Sequence, residues 1–372
     1  MKIDAAVLVE SGRARPYADS EPILIAQLEL DGPGPGELLV RIEAAGVCHS
    51  DLSVVDGNRP RPLPMALGHE AAGIVEAVGA GVEDIEVGTR VVMAFLPRCG
   101  DCAPCATDGR LPCGPGSAAN NAGTLLAGTR KLTAVGGDLD GQIHHHLGVS
   151  GFATHAVVDR RSAVAVGADV PPEVAAVLGC AVLTGGGAVI NAGRPTTGQS
   201  VMIIGLGGVG MAAVLTAVSL GLGEVIAVDS VPDKLTAARA IGATAVYSPA
   251  QLASSGVSAD VVVEAAGNAR AFEAAVIATA PGGTTVTVGL PAPDAVSSIH
   301  PLALVAGART IVGSYLGSAV PGRDIPLYEN LWRAGKLPVE KLISARIRLH
   351  DINSAMDALA DGTAIRQIIV FD

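Results

Sequence analysis

The stretch SVMIIGLGGVGMAAVLTAVSLGLGEVIAVD (200–229) decides how this 372-residue chain is built. VMIIG reads as a buried strand, a helix starts at about Val209, and VIAVD reads as a second buried strand. Between strand and helix stands Gly205-Leu-Gly207-Gly-Val-Gly210, and Asp229 ends the next strand nineteen residues after Gly210. In that setting Gly205 makes the turn, Gly207 lets backbone N–H groups approach a pyrophosphate, and Gly210 permits close packing of helix on strand. Asp229 is placed to accept hydrogen bonds from ribose hydroxyls and to repel a 2'-phosphate, which favours NAD over NADP. The uncharged run 195–223 is long and apolar enough to suggest a membrane span. Glycines at 205, 207, 208 and 210 interrupt it at turn spacing, and a strand follows directly, so a span is rejected.

Working outward, strands and helices alternate from about 182 to 318: DKLTAARAIG, AVYS, DVVVEAAG, a helix near 270–280, then TTVTVG. Such βαβ repetition predicts a doubly wound parallel sheet. Residues 1–181 differ. Short strand-like runs (AAVLV, ELLVRIEAAGV, GIVEAVGA, RVVMAF) are split by Gly/Pro turns, which suggests an antiparallel β domain or barrel. From 319 to 372 mixed structure returns, with YENLWRAGK and INSAMDALADG as helices.

Composition narrows the function. Hydrophobic residues are 49% and charged residues 16% of the chain, which suits a large buried core. The net charge of -11 and the lack of any Lys/Arg run argue against nucleic acid or an anionic membrane as partner and leave a small molecule. MKIDAAVLVESGRARP lacks the apolar core of a signal peptide, so a cytoplasmic location is expected.

The six cysteines are at 48, 99, 102, 105, 113 and 180, and in a reducing compartment they are metal ligands sooner than disulfides. In RCGDCAPCATDGRLPCG (98–114), four thiols can close a tetrahedral zinc shell, leaving no place for water or substrate. Four cysteines can equally hold an iron–sulfur cluster, although nothing else in the chain suggests electron transfer. That leaves Cys48, Cys180 and His69 of GHEAAGIVEAVG. Two thiolates and one imidazole make an open, neutral zinc site with a fourth position for an alcohol or water. Lone Cys and His residues are also common in packed cores.

CHSD (48–51), GHEAAG (68–73), the four-cysteine lobe, GC (179–180), GLGGVG and Asp229 together resemble the zinc-dependent medium-chain alcohol dehydrogenase family over nearly the whole chain. The resemblance implies a GroES-like β-barrel catalytic domain (1–181 and 319–372) with an inserted Rossmann NAD-binding domain (182–318), and a site in the cleft between them. It implies two zinc ions per chain, one catalytic on Cys48, His69 and Cys180, one structural on Cys99, Cys102, Cys105 and Cys113. Ser50 matches the residue that takes the alcohol proton, Asp51 a carboxylate orienting His69, and Glu70 a carboxylate behind the zinc. His49 matches a position that touches the cofactor pyrophosphate or assists proton transfer. Gly205, Gly207, Gly208, Val209, Gly210, Asp229, Lys234, Val288 and Arg366 match cofactor-binding positions; Lys234 and Arg366 could also be solvated surface charges. Phe95, His146, Leu147 and Leu290 would line the substrate pocket.

Two departures stand out. Ser53 replaces the histidine that ends the proton relay in many relatives, leaving His49 or water to serve. In IHHHLGVSGF (143–152), His146 stands where relatives carry an apolar pocket residue; a surface histidine cluster is the plainer reading. Consecutive side chains of an extended segment alternate faces, so the three histidines cannot easily chelate one ion.

The expected reaction is oxidation of a primary or secondary alcohol to aldehyde or ketone, with hydride passing to C4 of NAD. The long 114–150 region, with AFLPRCGDCAPC and NNAGTLLAG, resembles the branch holding class I, class III and nicotinoprotein alcohol dehydrogenases. The alternative is therefore a nicotinoprotein alcohol dehydrogenase or aldehyde dismutase that keeps its NAD. Oxidation of a formaldehyde–thiol adduct would need a cationic pocket that the sequence does not locate. A crystallin-like NAD-binding scaffold should have lost a ligand or Ser50, and this chain has lost neither. Relatives with the long loop are commonly dimers pairing Rossmann edge strands, here near residues 310–317.

Overall fold

The computed structural model describes residues 1–136 and 139–371. The chain folds as two compact units, Met1–Cys180 with Ile343–Asp372, and Ala181–Leu342. The return to the first unit thus falls at Ile343, later than the 319 expected from sequence, because the helix Pro321–Arg333 stays with the second unit.

In the first unit the strands Lys2–Leu8, Ile23–Leu30, Leu132–Ala134, Gln142–His145 and Met65–Ala66 close into a barrel. A seven-stranded sheet stands beside it, centred on the long strand Glu37–Val47. That strand pairs antiparallel with Glu70–Val78, with His155–Asp159 and with Gln367–Val370. Leu38, Val40, Ile42, Ala45 and Val47 alternate inward along it and pack with Leu52, Val55, Leu67 and Phe152. This packing brings residues 46–48, 68–72 and 366–369 side by side, although they are far apart in sequence.

The second unit is a six-stranded parallel sheet in the order Ala245–Tyr247, Glu224–Val228, Ser200–Ile204, Ala259–Glu264, Thr279–Thr287, Thr310–Gly313. Numbered along the chain this is 3-2-1-4-5-6, the Rossmann order. Val201, Met202, Ile203, Val262 and Val263 are fully or nearly fully buried, as strands covered on both faces must be. The uncharged run 195–223 resolves into the strand Ser200–Ile204 and the helix Gly208–Ser219.

One element escaped the sequence reading. Residues Pro172–Gly193 form a continuous helical run, apolar and long enough to cross a membrane, with 83% of its apolar window buried inside the protein. The run Gly185-Gly186-Gly187 looks like a turn in sequence. In the structure each glycine is a point of close packing: a Cβ would strike the Val209 carbonyl, the Tyr328 ring and the Gly317 carbonyl respectively.

A candidate metal centre and a dinucleotide cradle

The segment CHSD folds into the start of a short helix, His49–Val55, with Cys48 at its N-cap. Asp51 Oδ2 accepts the Cys48 N–H at 3.0 Å, which fixes the backbone that presents the Cys48 thiol. His69 precedes the strand Glu70–Val78, behind Gly68, whose φ of +91° and close approach to Phe152 admit no side chain. Cys180 lies in a π-helical turn, Leu178–Val182. Its neighbour Gly179 lets that turn press against the Met93 carbonyl. Local irregularity of this kind is common where a helix must aim a functional side chain.

These three elements bring Cys48, His69 and Cys180 together, each with a donor atom within 4.8 Å of the others, and all buried. His69 Nε2 lies 3.4 Å from Cys180 Sγ. Bond lengths of about 2.1 Å to nitrogen and 2.3 Å to sulfur at a tetrahedral angle put such donors about 3.6 Å apart, so the set fits zinc. Asp51 Oδ1 sits 3.1 Å from His69 Nδ1 and also accepts the Gly68 N–H at 3.3 Å. Since a carboxylate only accepts, Nδ1 carries a proton, which leaves Nε2, on the side of the two sulfurs, as the atom that would bind a metal.

The charges around the centre are compensated by neighbours. Burial pushes the Asp51 carboxyl up, but His69 and His146 outweigh it and hold it at about 2. Burial opposes a charge on His69, yet Asp51 and Cys48 raise its pKa well above the usual histidine value. Cys48 is lowered by the Cys180 thiol and by Arg366, while Cys180 is raised by Cys48 and by burial. A divalent cation would displace the His69 and Cys180 protons.

Glu70 is fully buried, and its Oε1 lies 3.6 Å from Arg366 Nε. Arg366 is only 3% exposed and donates from Nη1 to the Val47 carbonyl at 2.8 Å. The reading of Arg366 as a solvated surface charge is corrected: Glu70, Cys48 and Cys180 stabilise its charge in a buried position. Ser50 is half-buried and His49 exposed at the start of the same short helix. Ser53, where a relay histidine was missing, donates its hydroxyl to the His49 carbonyl at 2.8 Å.

Phe95 stands edge-on to His69 with ring centroids 5.5 Å apart. His146 does the same from another side at 5.4 Å, and its Nδ1 is 3.0 Å from Asp51 Oδ1. The plainer reading of IHHHLG as a surface cluster is therefore corrected, since His145 and His146 are each 1% exposed. His145 faces away from the metal set. Its Nε2 accepts the Lys131 N–H and its Nδ1 meets Ser150 Oγ, so the strand alternation does separate the neighbouring rings. Leu147 is buried, whereas Leu290, in the second unit, is 47% exposed.

The four-cysteine lobe has the same stereochemical fit. Sγ–Sγ separations are 3.9 Å for Cys99–Cys105, 3.5 Å for Cys102–Cys105 and 4.0 Å for Cys102–Cys113. A zinc tetrathiolate requires about 3.8 Å. Backbone N–H groups of Cys99 and Gly116 donate to Cys113 Sγ, and Arg98 ties down the Pro104 and Cys105 carbonyls. N–H donation lowers Cys102 to about 6, whereas burial and the adjacent sulfurs push Cys105 up to about 12. Only a cation lets all four ionise together.

In the second unit the glycines of GLGGVG divide by role. Gly205 has φ +93° and a Cβ there would strike Ala266; a Cβ at Gly210 would strike the Gly205 carbonyl. Gly207 has ordinary φ, and a Cβ there would meet nothing within 4 Å. Protein packing therefore explains two of the three, and Gly207 leaves open space before the helix Gly208–Ser219, where a pyrophosphate fits. Asp229 accepts the Leu206 N–H at 2.7 Å and the Val231 N–H at 2.9 Å, which anchors its carboxylate beside that turn. Val288 is buried, and Lys234 is half-buried on the helix Pro232–Ala240.

The fold and the donor sets define a medium-chain dehydrogenase. Residues 34–171 match the alcohol dehydrogenase GroES-like domain and residues 208–332 the zinc-binding dehydrogenase domain. Putative alcohol dehydrogenase D of Mycobacterium tuberculosis is 36% identical over 380 residues, covering 100% of both chains. Geraniol dehydrogenase of Castellaniella defragrans is 37% identical over 362 residues, 94% of this chain and 95% of that one. NDMA-dependent alcohol dehydrogenase of Amycolatopsis methanolica is 34% identical over 393 residues, 100% of this chain and 99% of that one. The crystal structure of benzyl alcohol dehydrogenase from Acinetobacter calcoaceticus superposes with a TM-score of 0.90 at 31% identity, over 100% of both chains. The chain belongs to the zinc-dependent medium-chain alcohol dehydrogenase family and is an oxidoreductase.

Proposed function

We propose that the protein oxidises a primary or secondary alcohol to the aldehyde or ketone with NAD, through a zinc centre on Cys48, His69 and Cys180. The observation that carries this reading is the open donor set itself: three buried ligands, with the Ser50 hydroxyl two residues from one of them. A zinc ion in this set supplies Lewis acidity that lowers the pKa of an alcohol hydroxyl. NAD in the Gly205–Gly210 cradle supplies the hydride acceptor. The chain's own part is to hold and to move protons. Asp51 fixes the His69 tautomer, Ser50 receives the alcohol proton, and His49 or water carries it to solvent. Glu70 and Arg366 keep the surroundings of the sulfurs electrically balanced. Gly208, Val209, Val288 and Lys234 complete the cofactor contacts, and the Asp229 carboxylate disfavours a 2'-phosphate.

Phe95, His146 and Leu147 shape the pocket, and the relatives named for geraniol and benzyl alcohol favour an apolar substrate. Cys99, Cys102, Cys105 and Cys113 hold a second, structural zinc, giving two per chain. We assign the protein to the cytoplasm, where reducing conditions keep the six cysteines out of disulfides and available as metal ligands. A homodimer is favoured by the edge strand Thr310–Gly313 and by the exposed apolar side chains Val296, Leu302 and Val305 of the same unit.

A second reading, a nicotinoprotein that retains its NAD and recycles it with a second substrate, is supported by the NDMA-dependent relative and by NNAGTLLAG. The test is the nicotinamide released when purified protein is denatured, set beside turnover with added NAD or NADP. Cofactor-free protein that turns over with added NAD supports the first reading, and stoichiometric bound NAD(H) the second. Preference for NADP would contradict the role given to Asp229.

A further inference from the structure

We infer that His146 is a positioning residue of the Cys48–His69–Cys180 centre, bracing from a second side the Asp51 carboxylate that orients His69. This rests on the reading of those three residues as metal ligands. Asp51 Oδ1 faces two imidazoles, with His69 Nδ1 at 3.1 Å and His146 Nδ1 at 3.0 Å, and all three side chains are at most 1% exposed. Among the described residues this carboxylate also accepts the backbone N–H groups of Cys48, itself one of the three candidate ligands, and of Gly68, the residue before His69. His146 comes from a third segment. It ties the ligand-bearing turns to the barrel, where its own N–H is held by the Ala66 carbonyl and by Ser150 Oγ.

The chemistry of the contact defines what His146 contributes. A carboxylate offers only lone pairs, so the His146 nitrogen facing it carries a proton. That N–H is off the line of a hydrogen bond to Oδ1, so it acts as a nearby positive dipole and a steric stop. The ring itself stands at 84° to the His69 ring with centroids 5.4 Å apart, which blocks rotation of His69 on that side. An apolar ring at 146 would keep the stop and lose the dipole, leaving Asp51 held mainly by the backbone. Groups that orient a ligand in this way act on how firmly the metal is held.

The test compares wild-type protein with His146→Phe and His146→Asn, each loaded with cobalt(II), whose thiolate absorption bands report the ligand geometry. Metal loss to excess chelator is followed in two phases, one for the Cys48 set and one for the four-cysteine lobe. His146→Phe is expected to release the first metal about tenfold or more faster, with altered bands. His146→Asn, whose Nδ2 stands near the place of the histidine Nδ1, is expected to stay close to wild type. The lobe phase serves as the internal measure of folding and should be equal in all three. Release from His146→Phe at the wild-type rate with unchanged bands would overturn the inference, as would His146→Asn releasing metal as fast as His146→Phe. Wild-type protein holding no metal on the Cys48 set would instead overturn the functional reading beneath it.

Discussion

Asp51 and His69 meet at 3.1 Å in a position from which solvent is wholly excluded, and the same carboxylate caps the backbone of Cys48. One side chain thus sets the orientation of two candidate metal ligands. Replacing Asp51 by Asn keeps the volume but removes the charge that holds the His69 Nδ1 proton. We expect a loss of metal affinity of about 10- to 100-fold. A stability cost of about 1–3 kcal/mol should accompany it, because buried donors lose their acceptor. Metal analysis and urea unfolding measure the two effects separately.

His145 gives a pH dependence with a definite sign. Burial, reinforced by Lys131, lowers its pKa from 6.5 to about 3, so the folded protein keeps it neutral where the unfolded chain is protonated. The unfolded state binds the extra proton, and the associated stability is complete above pH 6.5 and is lost as pH falls toward 3. Between pH 6 and 4 the slope contributed should approach about 1.4 kcal/mol per pH unit. Urea midpoints should therefore fall less steeply with acid in His145→Gln than in wild type; equal slopes would contradict the assignment.

The glycines of the cradle separate packing from ligand binding. Gly210→Ala forces a Cβ onto the Gly205 carbonyl and should lower the thermal midpoint markedly. Gly207→Ala meets open space and should leave stability nearly unchanged while weakening NAD binding. Titration of nucleotide binding beside thermal unfolding distinguishes the two substitutions.

Cys102→Ser should remove one metal per chain and loosen residues 98–114, leaving the Cys48 set loaded. Proteolysis within that segment and metal analysis provide the check. An unchanged metal count would contradict a zinc tetrathiolate.

Much of this was legible in the sequence because the signals were local. Glycine spacing, strand–helix alternation and Asp229 mark the parallel sheet, and the C-x2-C-x2-C run marks the lobe. The long helix Pro172–Gly193 was not legible, since Gly185–Gly187 imitate a turn until their packing partners Val209, Tyr328 and Gly317 are known. A solvated Arg366 stayed open as an alternative in sequence because its counter-charge, Glu70, is almost 300 residues away and meets it through pairing of the strands Gln367–Val370 and Glu70–Val78 with Glu37–Val47. The burial of His146 against Asp51 is likewise a long-range event. The resemblance singled out His146 as a pocket residue, but its contact with Asp51, almost 100 residues earlier in the chain, has no local signal.

Whether Cys48, His69 and Cys180 hold the catalytic zinc is read from the metal content and alcohol oxidation of Cys48→Ala beside wild type. Wild-type protein should hold two zinc ions per chain. The variant should be folded, keep one zinc on the four-cysteine lobe and show no turnover. A variant that kept both zinc ions and full turnover would contradict that assignment.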